Sequence, residues 1–237
     1  DVTLFERTET LGGHLVEASV PEFKADIRRL LDWYRRQLDK LGIRVELGTT
    51  VTPKLVTDRD PDAVVVATGS VPVVPKIPGV DNAMVATCCD LLLGKKECGN
   101  HVVVIGGGLE GCETALWLSS QGKRVIIVEM QSEVAADIHR ANRAMLLDLL
   151  MDAGVRILTN TMLHEVGGGA ITVVSRDLRV ERIECDTVAL GVGMKPNQDL
   201  YQSLIGEVYE VYLIGDAKQP RRIHDAIWEG WNIGRAL

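Results

Sequence analysis

A glycine-rich stretch in the middle of the chain constrains the fold more than any other feature. Residues 101–105 form an apolar strand pattern, and residues 106–111 then read G-G-G-L-E-G, a G-x-G-x-x-G motif. A helical segment begins near Cys112, and Val125–Val128 predict a second strand that ends at Glu129. Strand, glycine turn, helix, strand and acid follow one another as in a dinucleotide-binding βαβ unit.

Each part of this motif has its own physical task. Gly106 permits the tight turn, Gly108 lets the backbone approach a diphosphate, and Gly111 lets helix and strand pack closely. The amides at the start of the helix can then bind the diphosphate. Glu129 is spaced to reach a ribose 2′-hydroxyl. A merely structural glycine turn is the alternative, and the complete set of elements favours dinucleotide binding.

The residues around the acid bear on the choice of coenzyme. Glu129 would repel a 2′-phosphate, and Met130-Gln131-Ser132 supplies no cation to bind one. The sequence therefore predicts a preference for NADH over NADPH.

The chain also contains an internal repeat. Residues 1–7 (DVTLFER) align with 124–130 (RVIIVEM), 41–49 with 153–161, and 62–70 with 186–194, in the same order. Each copy has a strand that ends in Glu, an amphipathic helix, a strand, and a last apolar strand that leads into a glycine turn. Alternating strands and helices predict parallel sheets covered by helices.

The repeat also indicates how the first copy differs from the second. The spacing between Gly106 and Glu129, applied to Glu6, places the equivalent glycine before Asp1. We therefore expect an α/β fold of two nested Rossmann-like domains with mainly parallel sheets. The first domain is expected to lack its initial strand, glycine turn and helix.

Composition excludes several classes of function. The net charge of −7 disfavours nucleic acid, and no apolar run reaches the roughly 18–20 residues that span a bilayer. The five cysteines are odd in number and form no C-x-x-C pair. This favours a reducing, cytoplasmic compartment and disfavours a metal site. Buried, inert thiols are favoured over a redox pair at Cys88-Cys89.

Four further segments carry a resemblance to a known family. They are GVGMKPN (191–197), LGGHL (11–15), VYLIGD (211–216) and QPRRIHDAIWEG (219–230). Together they resemble the C-terminal FAD/NAD-binding module of the multidomain old-yellow-enzyme-like NADH:flavin oxidoreductases. That branch includes 2,4-dienoyl-CoA reductase, 2-enoate reductase and trimethylamine dehydrogenase. The resemblance covers essentially the whole chain.

The resemblance implies domains, cofactors and partners. Residues 1–92 and 202–237 would form an FAD-binding domain around an NAD-binding domain at 93–201. Hydride would pass from NADH to FAD, and electrons would continue to a barrel domain with FMN and an iron–sulfur cluster, which this chain lacks. No side chain would act as acid, base or nucleophile. We expect the chain as given to bind FAD poorly and NAD well.

Two alternatives belong to other classes. A non-catalytic, ADP-binding structural module is allowed by the resemblance to trimethylamine dehydrogenase. A disulfide reductase is disfavoured because the cysteines lack the required pair.

The resemblance also assigns site residues. For FAD, Glu6 would hold the ribose, Val51 would contact the adenine, and Asp216 would bind the ribityl chain or a ribose. The complete FAD set is Glu6, Arg7, Gly12, Gly13, His14, Val51, Ala67, Thr68, Gly69, Gly215, Asp216 and Ile223. For NAD the set is Gly106, Gly108, Gly111, Glu113, Glu129 and Gly193. Three of these residues have an alternative interpretation. Arg7 could be a solvated charge, His14 a local hydrogen-bonding residue, and Glu113 a charge at the start of a helix.

Overall fold

The chain forms two units that are interleaved in sequence. The computed structural model describes residues 1–136 and 138–237. The first unit joins Asp1–Val71 to Met194–Leu237, and Pro72–Gly193 form the second. This organisation is nested, and the segment from residue 72 contributes the strand Val85–Thr87 to the sheet of the second unit.

The elements follow the alternating pattern that the repeat predicts. The strands are β1 (Thr3–Phe5), β2 (Arg44–Glu46), β3 (Val64–Val66), β4 (Ser70–Pro72), β5 (Val85–Thr87), β6 (His101–Ile105), β7 (Arg124–Val128), β8 (Arg156–Leu158), β9 (Thr161–Gly167), β10 (Ala170–Ser175), β11 (Val180–Glu184), β12 (Thr187–Leu190), β13 (Met194–Pro196) and β14 (Val211–Leu213). The helices are α1 (Leu15–Ala18), α2 (Ala25–Lys40), α3 (Pro53–Arg59), α4 (Cys88–Leu92), α5 (Leu109–Ser120), α6 (Arg140–Asp152), α7 (Asp199–Leu204) and α8 (Ile223–Ala236), with 3-10 turns at Glu22–Lys24 and Gly215–Ala217.

The second unit is built on a five-stranded sheet. Its order is β5-β12-β6-β7-β8, and every neighbouring pair is parallel. Strand β6, which precedes the glycine motif, lies at the centre, and residues 102–105 of this strand are buried. A strand covered on both faces requires a continuous apolar run, which explains why β6 does not alternate.

The two faces of this sheet have different covers. Val102 and Val104 point into a cluster with residues of α4, α5 and α6, including Leu118 and Leu150. Val103 and Ile105 point the other way, into a cluster with residues of the antiparallel sheet β11-β10-β9, such as those at positions 163, 171 and 183. Successive residues of a strand face opposite sides of the sheet, so the single apolar run of β6 contributes side chains to the clusters on both faces.

The first unit has two separate parallel ladders, β1 with β2 and β3 with β14. In the repeat, β1 corresponds to β7 and β3 to β12, and in the second unit β6 lies between these two strands. Among the described residues, no strand takes the place of β6 between β1 and β3. The apolar cluster of this unit includes Val56, Val66 and Leu204.

The two long amphipathic helices predicted by the repeat are α2 and α6. Both are followed at the second residue after their last turn by a glycine with positive φ, Gly42 at 65° and Gly154 at 70°. Glycine adopts this left-handed conformation without a Cβ clash and ends the helix there. Among the described residues, no helix is long and apolar enough to cross a membrane.

Candidate functional site

The glycine turn of the second unit is held in place by close backbone contacts. Gly106 has a φ of +101°, and its N–H donates to the Val128 carbonyl at 2.9 Å. A Cβ on Gly106 would lie 2.2 Å from the carbonyl oxygen of Gly191, and a Cβ on Gly111 would lie 2.0 Å from that of Gly106. The folded protein itself therefore requires glycine at positions 106 and 111.

Gly108 is different from the other two glycines of the motif. It is the N-cap residue of α5 with φ −68°, a value open to any residue, and a Cβ there would meet nothing within 4 Å. The first amides of a helix have no intrahelical acceptor. The motif thus leaves open space in front of a helix start, which suits a diphosphate that needs close approach to the backbone.

Glu129 is buried and binds the glycine turn directly. Its Oε2 accepts a hydrogen bond from the Gly107 N–H at 2.6 Å, and its Oε1 accepts one from the Gln131 N–H at 2.7 Å. Each carboxylate oxygen can accept a second hydrogen bond, so a ribose hydroxyl could still donate to this group. The acid predicted for coenzyme recognition is therefore also part of the turn.

Sequence reasoning missed the segment that packs on this turn. A Cβ on Gly107 would lie 2.4 Å from Cγ1 of Val134, so the variable position of the motif must also be glycine here. The Ala135 N–H donates to the Gly107 carbonyl at 2.6 Å. The middle glycine of G-G-G, at the variable position 107 of the motif, is the signal in the sequence for this contact.

The remaining predicted NAD residues lie in the same unit. Gly193 has a φ of +102° with open space at its Cβ position, and its carbonyl accepts the Val73 N–H at 2.9 Å. Glu113 lies in α5, two residues after Gly111. The described contacts bring Gly106, Gly111 and Glu129 together around the turn. Gly193 lies two residues after Gly191, whose carbonyl is close to Gly106.

In the first unit, Glu6 follows β1 as Glu129 follows β7. Its Oε1 accepts hydrogen bonds from the N–H and hydroxyl of Thr8 at 2.8 and 2.9 Å. Its backbone is bound to the next strand, with the Glu6 N–H donating to the Glu46 carbonyl at 2.9 Å. Arg7 is exposed, and Val51 packs against the apolar cluster of this unit.

A second group of predicted residues meets at the ends of β3 and β14. His14 follows the glycine pair at 12 and 13, and its Nε2 donates to the Ser70 carbonyl at 2.9 Å, while Nδ1 contacts the Glu17 carboxylate. The hydrogen bond to Glu17 raises the pKa of His14, burial opposes it, and the Ser70 carbonyl and nearby Asp216 raise it further. Because both ring nitrogens face acceptors only, this geometry favours the imidazolium form.

Ser70 joins this histidine to the last strand of the unit. The Ser70 hydroxyl donates to Oδ2 of Asp216 at 3.4 Å, and Oδ1 accepts the Arg221 N–H at 3.2 Å. Gly215, with a φ of +61°, donates its N–H to Glu229 at 2.7 Å. Ser70 was absent from the residues that the sequence singled out, since a serine after A-T-G carries no distinctive signal.

The other predicted FAD residues frame the same edge. Ala67, Thr68 and Gly69 follow β3, and the Thr68 hydroxyl donates to the Asn197 carbonyl at 2.6 Å. Ile223 is the first residue of α8, the predicted helix start. Ala67, Thr68 and Gly69 lie beyond the carboxyl end of β3, and ligands bind at such strand ends in open α/β sheets.

The cysteines agree with the interpretation of inert thiols. Cys88, Cys89, Cys112 and Cys185 are buried, Cys98 is half-buried, and no described cysteine forms a disulfide. Burial raises the pKa of Cys185 to about 11 and that of Cys88 still further. Such thiols remain protonated at neutral pH and are poor nucleophiles.

Comparison with known proteins identifies the family. Residues 18–230 match the model for the pyridine nucleotide-disulphide oxidoreductases, and the chain belongs to this family. It is an oxidoreductase module with a Rossmann-like fold, and the family and its relatives support FAD and NAD(H) as cofactors.

The most similar relatives are much longer proteins. Over its whole length the chain is 35% identical to a cinnamate reductase of Clostridium sporogenes, of which it covers 36%. It is 34% identical, over 98% of its length, to an NADH oxidase of Thermoanaerobacter brockii, again covering 36%. The solved structure of a 2-naphthoyl-CoA reductase in complex with 2-naphthoyl-CoA matches all of this chain with a TM-score of 0.96 and 30% identity, and the chain covers 36% of it.

These findings confirm the resemblance inferred from the sequence motifs. The chain spans little more than a third of the length of these relatives.

Proposed function

We propose that this chain is an NADH-dependent flavin oxidoreductase module that passes hydride from NADH to FAD. The observation that carries the proposal is the glycine turn of the second unit. Gly106 and Gly111 have no room for a side chain because of the protein itself, whereas Gly108 faces open space at a helix start. A glycine that the protein does not need for packing suits close approach by a ligand.

The NAD site would be formed by the second unit. The start of α5 at Gly108 would bind the diphosphate, and Glu129 would accept a hydrogen bond from the adenosine ribose. Glu113 and Gly193 would lie on the nicotinamide side. Met130, which is 63% exposed, supplies no charge to a 2′-phosphate, and this supports the preference for NADH.

The FAD site would be formed by the first unit. Glu6 would bind the ribose, and Val51 would contact the adenine. The remaining groups, which lie near the diphosphate, ribityl chain and flavin, would be Arg7, Gly12, Gly13, His14, Ala67, Thr68, Gly69, Gly215, Asp216 and Ile223. The link from His14 through Ser70 to Asp216 supports placing these groups in one site. The two units would be the FAD-binding and NAD-binding domains.

The side chains would bind, orient and shield rather than react. When bound, the nicotinamide and the flavin supply the hydride chemistry. The protein would contribute backbone amides at Gly108, an acceptor at Glu129, and the His14 imidazole, whose pKa the hydrogen bond to Glu17 raises, on the flavin side. We further propose that electrons continue to an FMN and iron–sulfur barrel domain of a longer, cytoplasmic protein, as in 2-enoate or 2,4-dienoyl-CoA reductases.

The test is an anaerobic titration of the purified full-length protein with NADH, followed in the visible flavin band. Bleaching of the band by NADH, and weaker bleaching by NADPH at equal concentration, are the expected results. If the full-length protein binds ADP or NADH but no FAD, that result would contradict the proposal and favour the alternative, a non-catalytic nucleotide-binding module.

A further inference from the structure

We propose that Arg143 is a positioning residue for the coenzyme, because it holds the segment Glu133–Ala135 against the glycine turn and so orients the Gly108 amide. The proposal rests on the proposed function, since it adds a residue to the same NAD site. Arg143 lies outside the motif, and no spacing rule in the sequence points to it.

The first link is the contact between α6 and this segment. Arg143 projects from α6, and its Nε donates to the Val134 carbonyl at 2.9 Å. A terminal nitrogen of the same guanidinium lies 3.2 Å from Oε2 of Glu133. The Arg143 side chain is only 26% exposed. A planar guanidinium can bind a carbonyl and a carboxylate in fixed directions, which a lysine ammonium cannot do.

The second link is the conformation of Ala135. This residue has a φ of +51° and is 1% exposed. A left-handed conformation is unfavourable for alanine and persists only where the surroundings impose it. The Ala135 N–H donates to the Gly107 carbonyl at 2.6 Å. Because Arg143 binds the carbonyl of the preceding residue, Val134, it holds the peptide that carries this N–H.

The third link is the geometry of the peptide bond. The Gly107 carbonyl and the Gly108 N–H belong to one planar trans peptide, so they point in opposite directions. A carbonyl held towards Ala135 therefore fixes the Gly108 N–H on the other side of the turn. Glu129 fixes the preceding peptide in the same way through the Gly107 N–H. Both peptides of the turn are thus oriented before any ligand binds.

The expected consequence is pre-organisation of the diphosphate site. If the segment is released, the Gly108 amide can rotate, and coenzyme binding must order it again. The loss should fall on the affinity for NADH, since the side chain of Arg143 itself lies behind the segment and binds protein groups.

The experiment compares Arg143→Gln with a matched control, Arg156→Gln. Arg156 makes an ion pair with Glu181 at 3.2 Å in the same unit and has no described contact with the turn. We expect Arg143→Gln to raise the Kd for NADH about tenfold, the equivalent of one lost charged hydrogen bond. It should also shift the NMR amide signals of Gly107 and Gly108 in the ligand-free protein. Arg156→Gln should do neither.

A second variant guards against loss of folding. Arg143→Lys keeps the charge but not the fork, so a folded Lys variant should still bind NADH more weakly than wild type. Wild-type NADH affinity with unchanged Gly107 and Gly108 signals in both Arg143 variants would overturn the proposal. If wild-type protein fails to bind NADH, the proposed function fails, whereas the amide signals of the variants still decide whether Arg143 orients the turn.

Discussion

The N–H of Gly107 and the carboxylate of Glu129 are joined by a buried hydrogen bond of 2.6 Å. The other carboxylate oxygen of Glu129 accepts a hydrogen bond from the Gln131 N–H, so this side chain satisfies two backbone amides. The acid that would recognise the coenzyme also shapes the turn that would hold its diphosphate. Affinity and local stability are therefore coupled at this residue.

The coupling predicts a double effect of Glu129→Gln. A glutamine offers one acceptor oxygen where the glutamate offers two, so one of the two amides loses its partner. We expect the free energy of unfolding to fall by about 1–3 kcal/mol and NADH affinity to fall with it. Chemical denaturation and NADH titration measure the two effects. Glu184→Gln, at an exposed position of β11, is the control. Wild-type stability in Glu129→Gln would contradict the prediction.

The glycine motif predicts that Gly111→Ala and Gly108→Ala differ in their effect on stability. In Gly111→Ala the new Cβ would lie 2.0 Å from the Gly106 carbonyl oxygen, and we expect a loss of about 1–3 kcal/mol in stability. Gly108→Ala meets no protein atom and has an ordinary φ, so its stability should stay within about 0.5 kcal/mol of wild type. NADH affinity should nevertheless fall in Gly108→Ala. Equal NADH affinity in Gly108→Ala and wild type would argue against diphosphate binding at this turn.

His14 predicts a dependence of stability on pH. Its folded pKa is raised above the ordinary 6.5, chiefly by the hydrogen bond to Glu17, so the stabilisation is complete below that value. It is lost as the pH rises through the higher folded pKa. The difference in Tm between wild type and His14→Gln should therefore shrink from about pH 6 upwards. A difference that grows with pH would show that His14 is neutral in the folded protein.

Asp216 predicts an effect on flavin retention. Its carboxylate accepts the Arg221 N–H and the Ser70 hydroxyl, which place it at the end of β14. Asp216→Asn removes the charge and one acceptor, and we expect the Kd for FAD to rise about tenfold. Equilibrium dialysis of the full-length protein with FAD measures this change. Asp39→Asn, on the exposed side of α2 in the same unit, should leave the Kd unchanged.

The burial of the thiols predicts their reactivity. Only Cys98 is accessible enough to react with an aromatic disulfide reagent in the native protein, and the desolvation that raises its pKa makes that reaction slow. We therefore expect one slowly modified thiol per chain, which is absent in Cys98→Ser. Rapid modification of Cys88 or Cys89 would revive the redox-pair interpretation.

The order of the elements and the sheet class could be predicted because they depend on local patterns. The apolar run before residue 106, the helical spacing before Gly42 and Gly154, and the glycine turn each report on their own segment. The pairing of distant segments could not be predicted in this way. The segment from residue 72 joins the second unit through pairing of β5 with β12, a contact between distant residues that no local pattern reports.

By itself, the sequence determined the parallel α/β fold, the nested repeat and the glycine turn with its acid, since periodicity and spacing act along the chain. Only the tertiary structure decided what surrounds that turn. The contact of Ala135 with Gly107 joins residues that are remote in sequence, and the contact of Arg143 with Val134 joins α6 to the segment that precedes it. The directions of their N–H and carbonyl groups depend on backbone angles that the packed protein imposes.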